Sequence, residues 1–174
     1  RTVELWREIA RRFRNRSVIA GYDLLNEAVT DETAKLNRLY RDIVQAIRST
    51  GDRHIVILEA NRYAQQVDAL DPPFDDNAMY SIHHYAPHEF TFHFDPTLTY
   101  PGQIRGEKWN KKRLEAELQG AIQFSQKYDV PIFVGEFGIS SRCAQCLSEY
   151  KWVRDTLALF RKHNFHWTYW TYKS

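Results

Sequence analysis

Glu27, behind the run Leu24-Leu25-Asn26, and Glu136, behind Ile132-Phe133-Val134-Gly135, each place an acid where an apolar strand should end. Two carboxyl groups that arrive at one place from separate strands can act together on a single bond. Cleavage of a glycosidic bond with retention needs one to protonate the leaving oxygen and one to attack the anomeric carbon, about 5 to 5.5 Å apart. Parallel strands of a closed βα barrel bring side chains to one face in this way. Taken singly, a glutamate is more often a solvated surface charge, so the reading rests on the pair.

The elements that must position them alternate. Trp6, Ile9, Ala10 and Phe13 fall at helical spacing, and a strand is expected from Val18 to Asn26. Thr30 or Asp31 can cap a helix whose apolar face is Leu36, Leu39, Tyr40, Ile43, Val44 and Ile47, with Gly51 just past its end. Further strands are expected at Ile55 to Leu58, Ala78 to Tyr85, Ile132 to Glu136 and His166 to Trp170, and further helices around Leu114 to Ser125 and Tyr150 to Phe160. A shorter helical or irregular piece spans Tyr63 to Leu70, and a long loop runs from Ala86 to Trp109. The sum is roughly five strands and five helices in one domain over residues 1–174, without linker, repeat or low-complexity tract.

Such alternation predicts parallel βα units buried on both faces, and Val130 to Val134 is apolar enough for one. An open doubly wound sheet would call for a glycine-rich phosphate loop after an early strand, and the sequence has none. Polar residues at strand ends favour a partial (β/α)8 TIM barrel instead. A whole barrel takes about 250 residues, so this chain holds about five of eight units.

Composition narrows the partner. The 24 basic and 22 acidic side chains leave a net charge of +2 without a basic stripe, which argues against nucleic acid. No apolar run approaches the ~20 residues of a membrane span, and no signal-peptide pattern follows Arg1. Aromatic residues make up 14% of the chain; their faces suit sugar rings, although most are expected in the core. Cys143 and Cys146 form a C-x-x-C in a loop, read first as a local disulfide, then as free thiols, then as a metal or redox site.

Four segments in order carry a resemblance to a known family: Gly21-Tyr22-Asp23-Leu24-Leu25-Asn26-Glu27, Ser81-Ile82-His83-His84-Tyr85, Phe133-Val134-Gly135-Glu136-Phe137-Gly138 and Trp167-Thr168-Tyr169-Trp170. The chain resembles the second part of a family 5 glycoside hydrolase, the cellulase group of the retaining clan whose catalytic glutamates end the fourth and seventh barrel strands. The first three βα units of that barrel are unmatched. The resemblance implies a general acid and base at Glu27 and a nucleophile at Glu136. It also implies Asn26 at the sugar 2-hydroxyl, His83 lining the pocket, Tyr85 beside the nucleophile and Trp170 as a floor under the sugar being cleaved.

The bland alternatives are a satisfied core histidine for His83 and simple packing for Tyr85 and Trp170. His84, of opposite strand parity, is expected to face outer helices, Trp167 to be core, and Asp23 to hydrogen-bond structurally inside the barrel. Of Phe90, Phe92, Phe94, Tyr100 and Trp109 in the long loop, one or two are expected to stack on sugars beyond the cleaved bond, unless the loop is packed down by its own aromatics.

The expected function is retaining hydrolysis of a β-linked glucan by two glutamates, of the endo-β-1,4-glucanase kind. The alternative is a half-barrel that binds sugar or associates with itself without turnover. No metal or cofactor is called for, and the partner is a β-glycan or oligosaccharide. Open strand edges predict a homo-oligomer or association with a complementary fragment. The resemblance favours an extracellular location.

Overall fold

The computed structural model describes residues 1–140 and 147–171; Cys143 and Cys146 lie outside them. The chain begins with helix α1 (Thr2–Phe13), strand β1 (Gly21–Asp23), helix α2 (Thr33–Arg48) and strand β2 (Ile55–Glu59). A single helical turn α3 (Asn61–Ala64) and a 3₁₀ turn (Val67–Ala69) lead to strand β3 (Ala78–His84). Then come a turn α4 (His88–Thr91), a hairpin β4 (Gly102–Ile104) and β5 (Glu107–Trp109), helices α5 (Lys111–Glu117) and α6 (Gln119–Tyr128), strand β6 (Ile132–Phe137), helix α7 (Leu147–Lys162) and strand β7 (His166–Tyr169).

Five strands form one parallel sheet in the order β1-β2-β3-β6-β7, so neighbours in the sheet follow chain order. This is the expected partial (β/α)8 arrangement. Alternation along each strand divides the sheet into two faces. Tyr22, Val56, Leu58, Tyr80, Ile82, Ile132 and Val134 are all buried and point outward, under the helices. Each large apolar side chain so covered contributes roughly 1.5–3 kcal/mol, so the outer face carries the stability and leaves the inner face free for polar groups. Helix α2 adds Leu36, Tyr40, Ile43, Val44 and Ile47, α6 sets Phe124 at 4.7 Å from Tyr80, and α7 sets Trp152 and Phe160 against Phe137.

Several boundaries differ from those expected. Strand β1 is only Gly21–Asp23, because its partner begins at Ile55; Val18 stays exposed in a turn. Gly21 fits there because a Cβ would lie 2.7 Å from the Ile55 carbonyl oxygen. Helix α2 has Glu32 at its N-cap without a side-chain cap, and Thr30 Oγ1 accepts from the Glu32 amide instead. The predicted helix around Leu114 to Ser125 is two helices meeting at Leu118, the first capped by Asn110, whose side chain accepts from the Arg113 amide. The long segment after β3 is not a plain loop. Arg105 and Gly106 both have positive φ, the pair a two-residue hairpin turn of the I′ kind requires, and they join β4 to β5. No helix among the described residues is long and apolar enough to cross a membrane.

Candidate active site

Glu27 does not sit in a strand. The Leu24 amide still donates to the Ile57 carbonyl, then the chain leaves the ladder, and Glu27 adopts φ +50°. That conformation costs a residue with a Cβ roughly 1–2 kcal/mol. Its compensation is visible: the Glu27 amide donates to Oε2 of Glu59 at 2.6 Å. Glu59 ends β2 and is only 2% exposed.

Glu136 reaches the inner face by a different device. Ile82 pairs with Val134 but His83 pairs with Glu136, so β6 holds one extra residue, Gly135, at a bulge. A bulge reverses the parity that follows it. Without it Glu136 would share the outward direction of Val134; with it Glu136 faces inward beside His83 and Phe137 turns outward beside His84. Gly135 is needed because a Cβ would lie 2.8 Å from Ser81 Oγ and 3.3 Å from His83 Nε2.

The two devices bring the acids together. His83 Nδ1 lies 2.8 Å from Glu27 Oε1 and 3.7 Å from Glu136 Oε2, while its Nε2 lies 3.1 Å from Glu59 Oε1. One donor atom from each of Glu27, His83 and Glu136 falls within 4.8 Å of the others, close enough in principle for a cation. Both ring nitrogens of His83 already face carboxylate oxygens, an arrangement that favours a proton between the groups. On the other side, the Tyr85 hydroxyl donates to Glu136 Oε2 at 2.7 Å.

Charge follows from these contacts. Burial by itself would lower the His83 pKa, but the carboxylates of Glu59, Glu27 and Glu136 outweigh it and raise it to about 9. These contacts favour the imidazolium form of the ring. Burial, then the Glu136 carboxylate, pushes the Tyr85 hydroxyl well above its usual range, so it remains a donor. Asp23, on the same inner face and open to solvent on one side, has its carboxyl pushed up to about 7 by the protein packed behind it and by Glu59.

Comparison with known proteins gives the family. The family model for cellulase (glycosyl hydrolase family 5) matches residues 1–174. The chain belongs to glycosyl hydrolase family 5. It is similar to endoglucanase C of Acetivibrio thermocellus (28% identity over 99% of this chain and 59% of that protein) and to cellodextrinase A of Ruminococcus flavefaciens (32%, 91% and 49%). Among solved structures it is similar to Cel5A of Thermotoga maritima in complex with mannotriose, with a TM-score of 0.83 and 26% identity over 99% of this chain and 58% of that one. The chain thus spans about three fifths of the length of endoglucanase C and of the Cel5A structure, and about half that of cellodextrinase A.

The remaining predicted positions of this family 5 chain separate. Asn26 adjoins Glu27 and is exposed. Trp170 follows β7, where its amide donates to the Phe137 carbonyl at 2.9 Å, and it is 60% exposed at the same end of the sheet as Glu136. His84 is buried on the outer face with its ring stacked on Trp152, as its parity predicts. Trp167 is not core: it meets Phe137 edge to face but stays 47% exposed, because β7 is an outermost strand. In the segment after β3, Phe90, Tyr100 and Trp109 are buried, whereas Phe92 stacks toward Tyr85 at 5.2 Å and Phe94 beyond it is 71% exposed.

Two contributors are not apparent in the sequence. Glu59 ends Ile55-Val56-Ile57-Leu58 as Glu27 and Glu136 were expected to end theirs, so its position at a strand terminus was the available signal. Thr91, fully buried, donates to the Tyr85 carbonyl at 2.6 Å while its own carbonyl accepts from the Ser140 amide, tying the segment after β3 to the one after β6. Nothing in its spacing marks it.

Proposed function

We propose that this chain carries the catalytic pair of a retaining β-glycan hydrolase, with Glu27 as acid and base and Glu136 as nucleophile. The carrying observation is the approach of Glu27, His83 and Glu136 donor atoms to within 4.8 Å. That fits the separation of about 5 to 5.5 Å for retaining chemistry better than the roughly 6.5–9.5 Å of inverting pairs, which must admit a water. Glu27 protonates the glycosidic oxygen as Glu136 attacks the anomeric carbon. The resulting glycosyl ester is hydrolysed by a water that the Glu27 carboxylate deprotonates. Tyr85 orients the attacking oxygen and stabilises its charge before attack.

The substrate is a β-linked glucan cleaved in the manner of an endo-β-1,4-glucanase, a reading supported by the similarity to an endoglucanase and a cellodextrinase; the mannotriose complex of a similar fold keeps β-mannan as the competing substrate. Asn26 and Trp170 hold the sugar at the 2-hydroxyl and under its ring, and Phe94 offers an exposed face farther along. No metal enters this chemistry. Incubation with a 2-fluoro-cellobiosyl inactivator, followed by peptide mapping, tests the assignment: an adduct on Glu136 is expected, and one on any other residue overturns it. Hydrolysis of aryl cellobioside by the chain, absent in Glu136→Gln, separates turnover from mere sugar binding.

A second surface supports association. Among the described residues strands β1 and β7 each have a neighbour on one side only, and Trp167, Tyr169 and Trp170 are exposed at the β7 edge. An uncovered strand edge with aromatic side chains is a surface that pairs. The chain therefore associates with a second copy or a complementary segment; a compact monomer by light scattering would remove that reading.

A further inference from the structure

Glu59 fits neither proposed catalytic role, yet it is the most enclosed carboxylate at the site, with 2% of its surface exposed. Its two oxygens are both committed. Oε2 accepts the Glu27 backbone N–H at 2.6 Å, and Oε1 faces His83 Nε2 at 3.1 Å. Its own backbone is fixed as well, since the Tyr40 hydroxyl donates to the Glu59 carbonyl at 2.9 Å and the Ala60 amide donates to the Ser81 carbonyl. A buried carboxylate without a countercharge is costly, and the cation that faces this one is His83. The ring's other nitrogen, Nδ1, points at Glu27 Oε1 from 2.8 Å. Glu59 therefore touches the proposed acid twice, once through its main chain and once through the imidazole.

We infer that Glu59 is a positioning residue that keeps the His83 ring charged and aimed, so that the proton Glu27 delivers is shared with His83 Nδ1. The inference rests on the proposed role of Glu27. In the resting site Glu27 is a carboxylate and His83 carries protons on both nitrogens. The proton on Nδ1 passes to Glu27 Oε1: one N–H bond breaks, one O–H bond forms, and the ring becomes neutral with its Nε2 proton still facing Glu59. Glu27 gives that proton to the leaving oxygen. When water later attacks the glycosyl ester, its proton goes to Glu27 and from there back to Nδ1, which restores the starting state. Carboxylate and imidazolium thus share one proton along one short contact, and the Glu59 charge decides how strongly the ring holds it.

The other groups facing the ring must be counted. Glu27 and Asp23 approach from β1 and the segment after it, Glu59 from β2, Glu136 from β6, and Tyr85 from the end of β3, with Tyr169 of β7 beyond Tyr85. Glu27 and Glu136 support the ring's charge together with Glu59, but among the described residues only the Glu59 carboxylate faces Nε2.

The test is histidine ¹⁵N NMR on the free chain, with the pH dependence of aryl cellobioside hydrolysis beside it. In the unmodified chain both His83 nitrogens are expected to be protonated at pH 7; a neutral ring there overturns the inference with no variant needed. Glu59→Gln keeps the shape and removes the charge. It is expected to lower the His83 titration midpoint by about one pH unit or more, and the alkaline limb of kcat/KM with it. Glu59→Asp, which keeps the charge, retains the midpoint to within about half a unit. A midpoint unmoved by Glu59→Gln, or lowered equally by Glu59→Asp, overturns the inference. Because the NMR titration needs no turnover, failure of the hydrolase reading would appear separately, as no 2-fluoroglycoside adduct with His83 titrating as stated.

Discussion

Oε2 of Glu136 accepts a 2.7 Å hydrogen bond from the Tyr85 hydroxyl. This contact joins the end of β3 to β6 across the inner face, and it holds one carboxylate oxygen of the proposed nucleophile in place. A hydrogen bond to a charged group contributes about 1.5–3 kcal/mol. Tyr85→Phe is therefore expected to lower kcat/KM on aryl cellobioside by roughly 10- to 100-fold, since each 1.36 kcal/mol is tenfold. Steady-state kinetics check this; a change below about twofold would show that the contact orients nothing that matters to attack.

The two glutamates should fail differently. Glu27→Gln removes the proton donor, so it should slow cleavage of cello-oligosaccharides by about 10²- to 10⁴-fold while sparing the first step on a dinitrophenyl glycoside, whose leaving group needs no proton. Glu136→Gln removes the attacker and should abolish both. Burst kinetics with the two substrates distinguish the roles, and equal losses on both substrates for Glu27→Gln would contradict its assignment as the acid.

Gly135 and Gly120 offer a matched contrast. A Cβ at Gly135 meets Ser81 Oγ at 2.8 Å and His83 Nε2 at 3.3 Å, whereas one at Gly120, inside α6, meets nothing within 4 Å. Gly135→Ala is expected to destabilise by about 1–3 kcal/mol through overpacking. Gly120→Ala, in the first turn of α6, should stabilise by about 0.5–1 kcal/mol, because alanine loses less backbone freedom than glycine on entering a helix. Urea denaturation midpoints of both variants give the comparison, and a Gly135→Ala midpoint at or above that of the parent would mean the inner face has room the structure does not show.

Arg48 and Asp75 give an acid-dependent contribution to stability. Their side chains are 14% and 9% exposed, and two guanidinium nitrogens reach the two carboxylate oxygens at 2.9 and 2.8 Å. Hydrogen bonding to Arg48 is the main reason the Asp75 carboxyl lies below its usual range. A depressed carboxylate stabilises the fold above its unfolded pKa, about 3.9, and that contribution is lost as pH falls through the lower folded value. Arg48→Met should cost about 3 kcal/mol at pH 7, with the difference from the parent shrinking below about pH 4. Denaturation at pH 7 and pH 3 checks the sign; a constant difference would exclude the linkage.

The aromatics after β3 should divide by burial. Trp109 is 8% exposed with the Arg113 guanidinium 4.7 Å from its ring centre, so Trp109→Ala is expected to lose about 3–5 kcal/mol of stability. Phe94 is 71% exposed, so Phe94→Ala should leave stability within about 0.5 kcal/mol while reducing the preference for longer oligosaccharides. Unchanged cleavage rates across chain lengths would remove Phe94 from sugar binding.

The sequence by itself determined the alternation of strand and helix, the outward apolar face and the segments that carry the candidate residues. These are local properties: the spacing of Leu36, Tyr40, Ile43 and Ile47 shows a buried helix face without knowledge of what covers it. The parities of His83 and His84 were legible for the same reason, and each faces the side that alternation along β3 requires.

Only the tertiary structure decided how the acids meet. Glu136 faces inward because β6 gains one residue at Gly135 against β3, and a register shift has no signature within either strand alone. Glu27 lies beyond its strand, held at positive φ by a bond from its amide to Glu59, a residue 32 positions away. The charge on His83 likewise arises from three carboxylates carried by separate parts of the chain. Each of these depends on atoms that come close only when the sheet is assembled, so no window of the sequence contains the information.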